Sequence, residues 1–234
     1  MSDSRSKWKF LLEGMVVVGS ILLAFAIDAA WDRHKERQVE RAALAALHAE
    51  MESNRRILKQ RLEINRLGAA QINRFLRATP SEVPAMAEDE LDETLISLWA
   101  PYTFDPELSA TRAFMEKTTL TSEHSRQVWK ALVQWERLLA DTEEEKAALW
   151  ADARQVHSLL ARYAVDLPPA VGDWPSLLQI KPELGARLGR IRADDDLIAD
   201  SIAKWHLQKI YIWELEDLLE HTDAVLILLE EDDA

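Results

Sequence analysis

Six histidines, at positions 34, 48, 124, 157, 206 and 221, are the first candidates for acid–base or metal chemistry. No two stand three or four residues apart, the spacing that places two ligands on one helix face, and H-E-x-x-H does not occur. The residues three before each are Trp31, Ala45, Thr121, Arg154, Ala203 and Leu218. None is Glu, so the Glu-x-x-His pair of di-iron bundles is missing. His48 and Glu52, one turn apart, could hold a metal weakly, but a surface pair is the simpler reading. There is no cysteine, which removes disulfides, thiolate nucleophiles and Cys-based metal sites.

With six glycines the chain has no phosphate-cradling loop, no dinucleotide fingerprint and no G-x-S-x-G elbow. Gly185 and Gly189 have GxxxG spacing, yet Arg187 between them and the loop setting remove its membrane meaning. Asp194-Asp195-Asp196 lacks the spaced ligands of a calcium loop, and helix capping accounts for it better. Of nine tryptophans, the seven beyond Trp31 fall mostly on helical apolar faces, where they serve a core rather than a ligand cage. The search argues against an enzyme. It assigns no catalytic, cofactor-binding or metal-ligating residue.

What positions the rest is Lys9 to Trp31, KFLLEGMVVVGSILLAFAIDAAW. A bilayer core about 30 Å thick needs about 20 mostly apolar residues in a helix, and residues 10–30 supply that length. Trp8 and Trp31 then lie about 34 Å apart along the axis, suited to the two interfacial belts. Glu13 and Asp28 bound the uncharged run and must sit near headgroups or face protein. A cleaved signal peptide with Ala24-Phe25-Ala26 as its site is the competing reading. Glu13 interrupts its apolar region and the helical pattern runs on past Asp28, so a retained transmembrane helix is expected.

That helix has a face. At about 100° per residue, Glu13, Val17, Ser20, Ala24 and Asp28 form one stripe, with Leu22 opposite Ser20. Small and polar residues on one side are what helix–helix association in a membrane requires. The stripe predicts a homo-oligomer or another membrane protein as partner, besides the lipid bilayer itself.

The division expected is a short basic tail (1–8), an anchor (9–31) and a helical soluble domain (32–234), long enough for its own core. The net charge is −13. The first ten residues carry a local +2 from Arg5, Lys7 and Lys9 against Asp3, leaving −15 elsewhere. That balance argues against nucleic acid and against broad adhesion to anionic lipid. The basic second half of the long helix (Arg55, Arg56, Lys59, Arg61, Arg66, Arg74, Arg77) lacks aromatic interleaving and reads as a face matched by the chain's own acids. Lysines and arginines flank the anchor on both sides. A short basic tail resists export, which favours the domain outside an inner membrane, in the periplasm.

After the anchor one helix continues to about Ala78, with Val39, Ala43, Leu47, Met51, Asn54, Leu58 and Leu62 on its core face. A loop over 79–86 precedes an acidic helix from Glu88 to Ala100, in which Leu91, Leu95, Ile96 and Trp99 share a face. Asp105 is expected to cap a helix with Pro106 at its first position. Thr121 or Ser122 caps the next, which carries Trp129, Leu132, Trp135 and Leu138 and either breaks near Asp141–Glu145 or runs through. Residues 166–194 are irregular, with Pro182 starting a short helix. Asp195 or Asp196 then opens a last long helix lined by Ile198, Ile202, Trp205, Ile210, Trp213, Leu218, Val225 and Leu229. No strand pattern occurs. The fold class expected is all-α: a transmembrane helix continuing into a long helix packed in an antiparallel bundle.

Glu13 through Arg41, EGMVVVGSILLAFAIDAAWDRHKERQVER, resembles the signature of an uncharacterised bacterial family of single-pass membrane proteins, matching it at Glu13, Gly19, Ala24, Ile27, Asp28 and Trp31. The block Phe104-Asp105-Pro106 with Thr111, Leu120, Val128 and Leu132 resembles the family's second block, but Lys117-Thr118-Thr119 replaces its usual Ser-Gly turn. The resemblance implies a bacterial membrane protein with a helical domain and no assigned activity. The function expected is a non-enzymatic scaffold or accessory subunit acting through protein contacts. The alternative is an anchored sensor bundle that binds a small ligand and signals through a partner.

Overall fold

The computed structural model describes residues 3–117, 120, 122–160 and 184–231, with side chains described from Met15 on, apart from Val16, Val17 and a few later positions. These residues form six α-helices and a 3-10 turn, Val83–Ala85, without a strand among them. The helices are α1 (Asp3–Arg77), α2 (Glu88–Trp99), α3 (Ser109–Lys117), α4 (Glu123–Leu160), α5 (Leu184–Arg192) and α6 (Asp195–Glu230).

No proline interrupts residues 3–77, so α1 runs 75 residues, about 112 Å at 1.5 Å per residue. It stops before Thr79-Pro80, because proline disfavours helix at the preceding residue. Arg192 at the end of α5 donates to Leu76 O at 2.8 Å, satisfying one of the carbonyls that a helix end leaves unpaired.

The pairings between elements give the topology. Arg74 meets Glu90, Gln71 meets Glu93, Asn65 meets Tyr102 and Asn54 meets Glu107. Glu50 then meets Thr111, and Glu40 meets Ser122. The chain from α2 to α3 therefore descends antiparallel to α1 as one broken helix. Helix α4 rises again, and α6 descends against both α1 (Arg55 with Asp223, Arg66 with Glu216) and α4 (Trp135 with Thr222, Gln155 with Asp200). The result is an up-down-up-down bundle.

Core positions recur at alternating steps of three and four residues, the spacing of coiled-coil-like packing. On α4 they are Ser125, Val128, Leu132, Trp135, Leu139 and Thr142. On α6 they are Leu197, Ser201, Lys204, Gln208, Tyr211, Leu215, Leu218, Thr222, Val225 and Leu229. Two apolar clusters result. The larger holds Trp135, Tyr211, Phe104 and Phe114, and the other holds Phe75, Leu91, Leu95, Val156 and Ile191. Trp205 packs against both. At the level of Gly68 the core is polar: a Cβ there would stand 2.8 Å from Gln208 Nε2 and 3.4 Å from Ser97 Oγ, so a larger residue would displace the Gln208 amide.

The all-α bundle and the continuous helix after residue 32 agree with expectation. The transmembrane helix is not met in the same way. Among the described residues no helix is long and apolar enough to cross a membrane. Lys9 to Gly14, Val16 and Val17 of the expected span, with Trp8, lie outside the described side chains, and the described remainder alone is too short.

Smaller differences have local causes. Asp105 caps no helix, because residues 101–108 are irregular and α3 begins at Ser109. Its carboxylate instead binds Lys146, and Glu50 of α1 takes the capping role. Helix α4 runs unbroken through 141–145, where Thr142 Oγ1 donates to Leu138 O within the helix. Ser122 caps α4 by accepting from Ser125 N at 3.0 Å. Asp194 caps α6 by accepting from Asp196 N and Leu197 N, as the aspartate triplet suggested. Val39 is exposed and Glu40 buried in its place. On α6, Ile202, Ile210 and Trp213 are exposed rather than core, Trp213 at 63%. The helix start at Pro182 lies outside the described residues.

Candidate functional site

A feature with no role inside the described fold is the stretch of α1 from Met15 to Val39. Every side chain described from Met15 to Val39 is exposed, and the bundle begins only at Glu40, the first buried residue. The exposed set includes Val18, Ile21, Leu22, Leu23, Phe25, Ile27 and Trp31, each more than half accessible. Single exposed apolar residues are ordinary, but a continuous apolar sleeve around a helix marks a surface that meets lipid or protein. A helix stretch apolar over most of its circumference belongs in a membrane or a core, and among the described residues no other element of the chain lies on it.

The residues expected to associate are on this projection. Ser20, Ala24, Asp28 and Trp31 follow one another at steps of four, four and three and share one face, all exposed. Trp31 is 69% accessible and stacks at a tilt on His34, with ring centroids 6.3 Å apart. The side chains of Glu13, Val17 and Trp8 lie outside the described residues. Among the described residues no second helix covers Ala24, Asp28 or Trp31.

Just past Trp31 the surface turns charged. Arg33, Arg37 and Arg41 line a cleft of about 370 Å³ with Glu36, Glu40 and Ser122. Buried Glu40 is its floor and accepts from Ser122 Oγ at 3.2 Å, holding the first turn of α4 to α1. Sequence reasoning took these arginines only as orientation signals, because the cleft forms when residue 122 returns 82 positions later. Further out, Arg55, Arg66 and Arg74 pair with Asp223, Glu216 and Glu90, so the chain's own acids do match part of the basic face.

A third region was missed outright. Lys204 is fully buried on α6, and its Nζ has no hydrogen-bond partner. Burial lowers its pKa from 10.5 to about 8, with Asp152 of α4 pulling the other way. Asp152 is raised by burial, against the attraction of Lys204 and with the repulsion of Asp200. An amine with so low a pKa is a feature of lysine catalysis, but no described cleft is lined by Lys204. It is a polar group inside a packed core. The signal that would have found it is the α6 heptad itself, in which Ser201, Lys204 and Gln208 occupy core positions.

Among the described residues no three His, Asp or Glu side chains gather as a metal site. Compared with protein-family models, with curated proteins and with solved structures, the chain matches none.

Proposed function

We propose that residues 9–31 anchor this protein in a bilayer as one helix, and that the bundle beyond acts through protein contacts as a scaffold or accessory subunit. The observation that carries the reading is the bare, mainly apolar stretch of α1 from Val18 to Trp31, which in water would leave about 25 cal/mol per Å² of apolar surface unburied. A bilayer removes that cost without another protein segment. The 9–31 stretch has the length and the flanking tryptophans for it, and its resemblance to single-pass bacterial proteins points the same way. A bacterial inner membrane with the bundle on the periplasmic side is the placement this reading favours.

An accessory role follows from how the interior is used. The described core is filled by side chains, and polar groups facing it such as Asn54, Asn65, Glu50 and Thr222 hold neighbouring elements together. The test is extraction and topology together. The full chain stays with membranes through an alkaline carbonate wash, and Glu231→Cys in the cysteine-free background is labelled on intact cells by an impermeant maleimide. Release by carbonate would overturn the anchor. Protection until lysis would move the bundle to the cytoplasmic side.

A further inference from the structure

Resting on the anchor reading, we infer that the cleft of Arg33, Arg37 and Arg41 binds the phosphate of an anionic lipid from the membrane holding that anchor. Three facts bring the arginines to a headgroup. They follow Trp31 at about 3, 9 and 15 Å along the axis, and the headgroup layer extends about 5–8 Å beyond the hydrocarbon on each side. Helical side chains lean toward the N-terminus, here toward the membrane, so the two further arginines reach back. Arg33 already does, donating from Nε to Ala29 O at 3.0 Å.

The donors are also open. All three arginines are exposed, and among the described residues no carboxylate forms an ion pair with Arg33, Arg37 or Arg41. Their planar forks match phosphate geometry. Glu36 and Glu40 oppose an anion. Glu40, however, is buried and turned onto Ser122, so it closes the α4 N-terminus to a ligand and leaves the arginines as the donors at the mouth. The strongly negative remainder of the chain repels an anionic surface, which leaves lipid recognition to the basic residues flanking the anchor, and of these the three arginines line the cleft.

Native mass spectrometry of the full chain, from mixed micelles of equal phosphatidylcholine and phosphatidylglycerol, tests this. Wild type retains phosphatidylglycerol over phosphatidylcholine by about tenfold or more, since each basic residue near an anionic surface is worth about fivefold. R33Q/R37Q/R41Q loses the preference, whereas R56Q/K59Q/R77Q, with the same charge change further along α1, keeps it. Equal retention of both lipids by wild type, or equal loss in both triple variants, would overturn the proposal. Displacement of the retained lipid by millimolar inorganic phosphate would overturn it too, assigning the cleft to free phosphate. The carbonate wash separates the two readings. A wild type that stays in the pellet without lipid preference sinks only the arginine site, and one that washes off sinks the anchor and the site together.

Discussion

Asn54 grips Glu107 with both ends of its amide. Its Oδ1 accepts from Glu107 N at 2.9 Å and its Nδ2 donates to Glu107 O at 2.8 Å, across 53 residues of chain. The descending arm of the bundle is broken between α2 and α3, and a break inside a bundle leaves backbone groups without helical partners. Residues of the core face supply them. Asn65 Nδ2 donates to Tyr102 O at 2.7 Å, and Tyr211 OH accepts from Phe104 N at 2.8 Å. Asn54→Leu has the right size for the core but strands one donor and one acceptor. The expected loss is about 2–4 kcal/mol in urea unfolding, and an unchanged midpoint would mean that the break is solvated.

Glu50 does the same for α3, accepting from Ser109 Oγ, Ala110 N, Thr111 N and Thr111 Oγ1. Burial alone would raise its pKa, but the bonds from Ala110, Thr111 and Ser109 together outweigh it and hold the carboxyl below 4.5. A lowered carboxyl stabilises above its unfolded pKa and loses that contribution as pH falls through the folded one. Glu50→Gln is therefore less stable than wild type at pH 7, and the gap narrows below about pH 4.5. A gap independent of pH would show that the charge is not involved.

How much of this the sequence carried depends on what kind of residue filled the core. Leu47, Met51, Leu58, Leu132 and Trp135 are apolar at helical spacing, and their burial was legible. Ser201, Lys204 and Gln208 occupy the same register on α6 but are polar, so the eye moves to Ile202, Ile210 and Trp213 and rotates that half of the helix outward. The break after Ala100 follows locally from Pro101, because proline disfavours helix at the preceding residue, whereas the α3 start has no such local cause. Asp105-Pro106 has the local chemistry of a cap, but the cap comes from Glu50, about sixty residues away, and only tertiary structure brings it there. Of the anchor stripe, Ser20, Ala24 and Asp28 are exposed, while the side chains of Glu13 and Val17 lie outside the described residues.

That stripe can be tested in membranes. Ser20 and Leu22 are both exposed on the same helix but lie on opposite sides, about 200° apart. Ser20→Cys forms an oxidative cross-link between copies when the stripe joins them, and Leu22→Cys does not. Equal cross-linking at both sites would mean random collision rather than a face.

Glu214 on α6 is half-buried, and its pKa is raised from 4.5 to about 7 by burial and by the charges of Glu145, Asp141 and Glu144 on α4. A raised acid contributes fully below its unfolded pKa, and the contribution is lost as pH rises through the folded one. The window is thus pH 4.5 to 7. Glu214→Gln raises Tm by about 2 °C at pH 8 and leaves it nearly unchanged at pH 4.5. A lower Tm at pH 8 would show that the carboxylate has a partner it needs.

Lys204 gives the opposite slope. The folded state holds its amine near pKa 8 against 10.5 unfolded, so between those values the unfolded chain binds more protons and stability rises with pH. Burying the charged form below pH 8 costs about 3 kcal/mol on that shift, with the attraction of Asp152 already included. Lys204→Met keeps the volume and removes the charge, so at pH 7 it is more stable than wild type, and the rise from pH 8 to 10 disappears. The difference between the two proteins isolates this group, because Tyr211, pushed upward mainly by burial, lowers stability above about pH 10 in both. Asp152→Asn alone leaves the ammonium without its one attraction and destabilises, while the double variant recovers. Should Lys204→Met instead lose stability at pH 7, the lysine would be solvated or paired in solution, and its buried charge would be a support of the bundle rather than a cost to it.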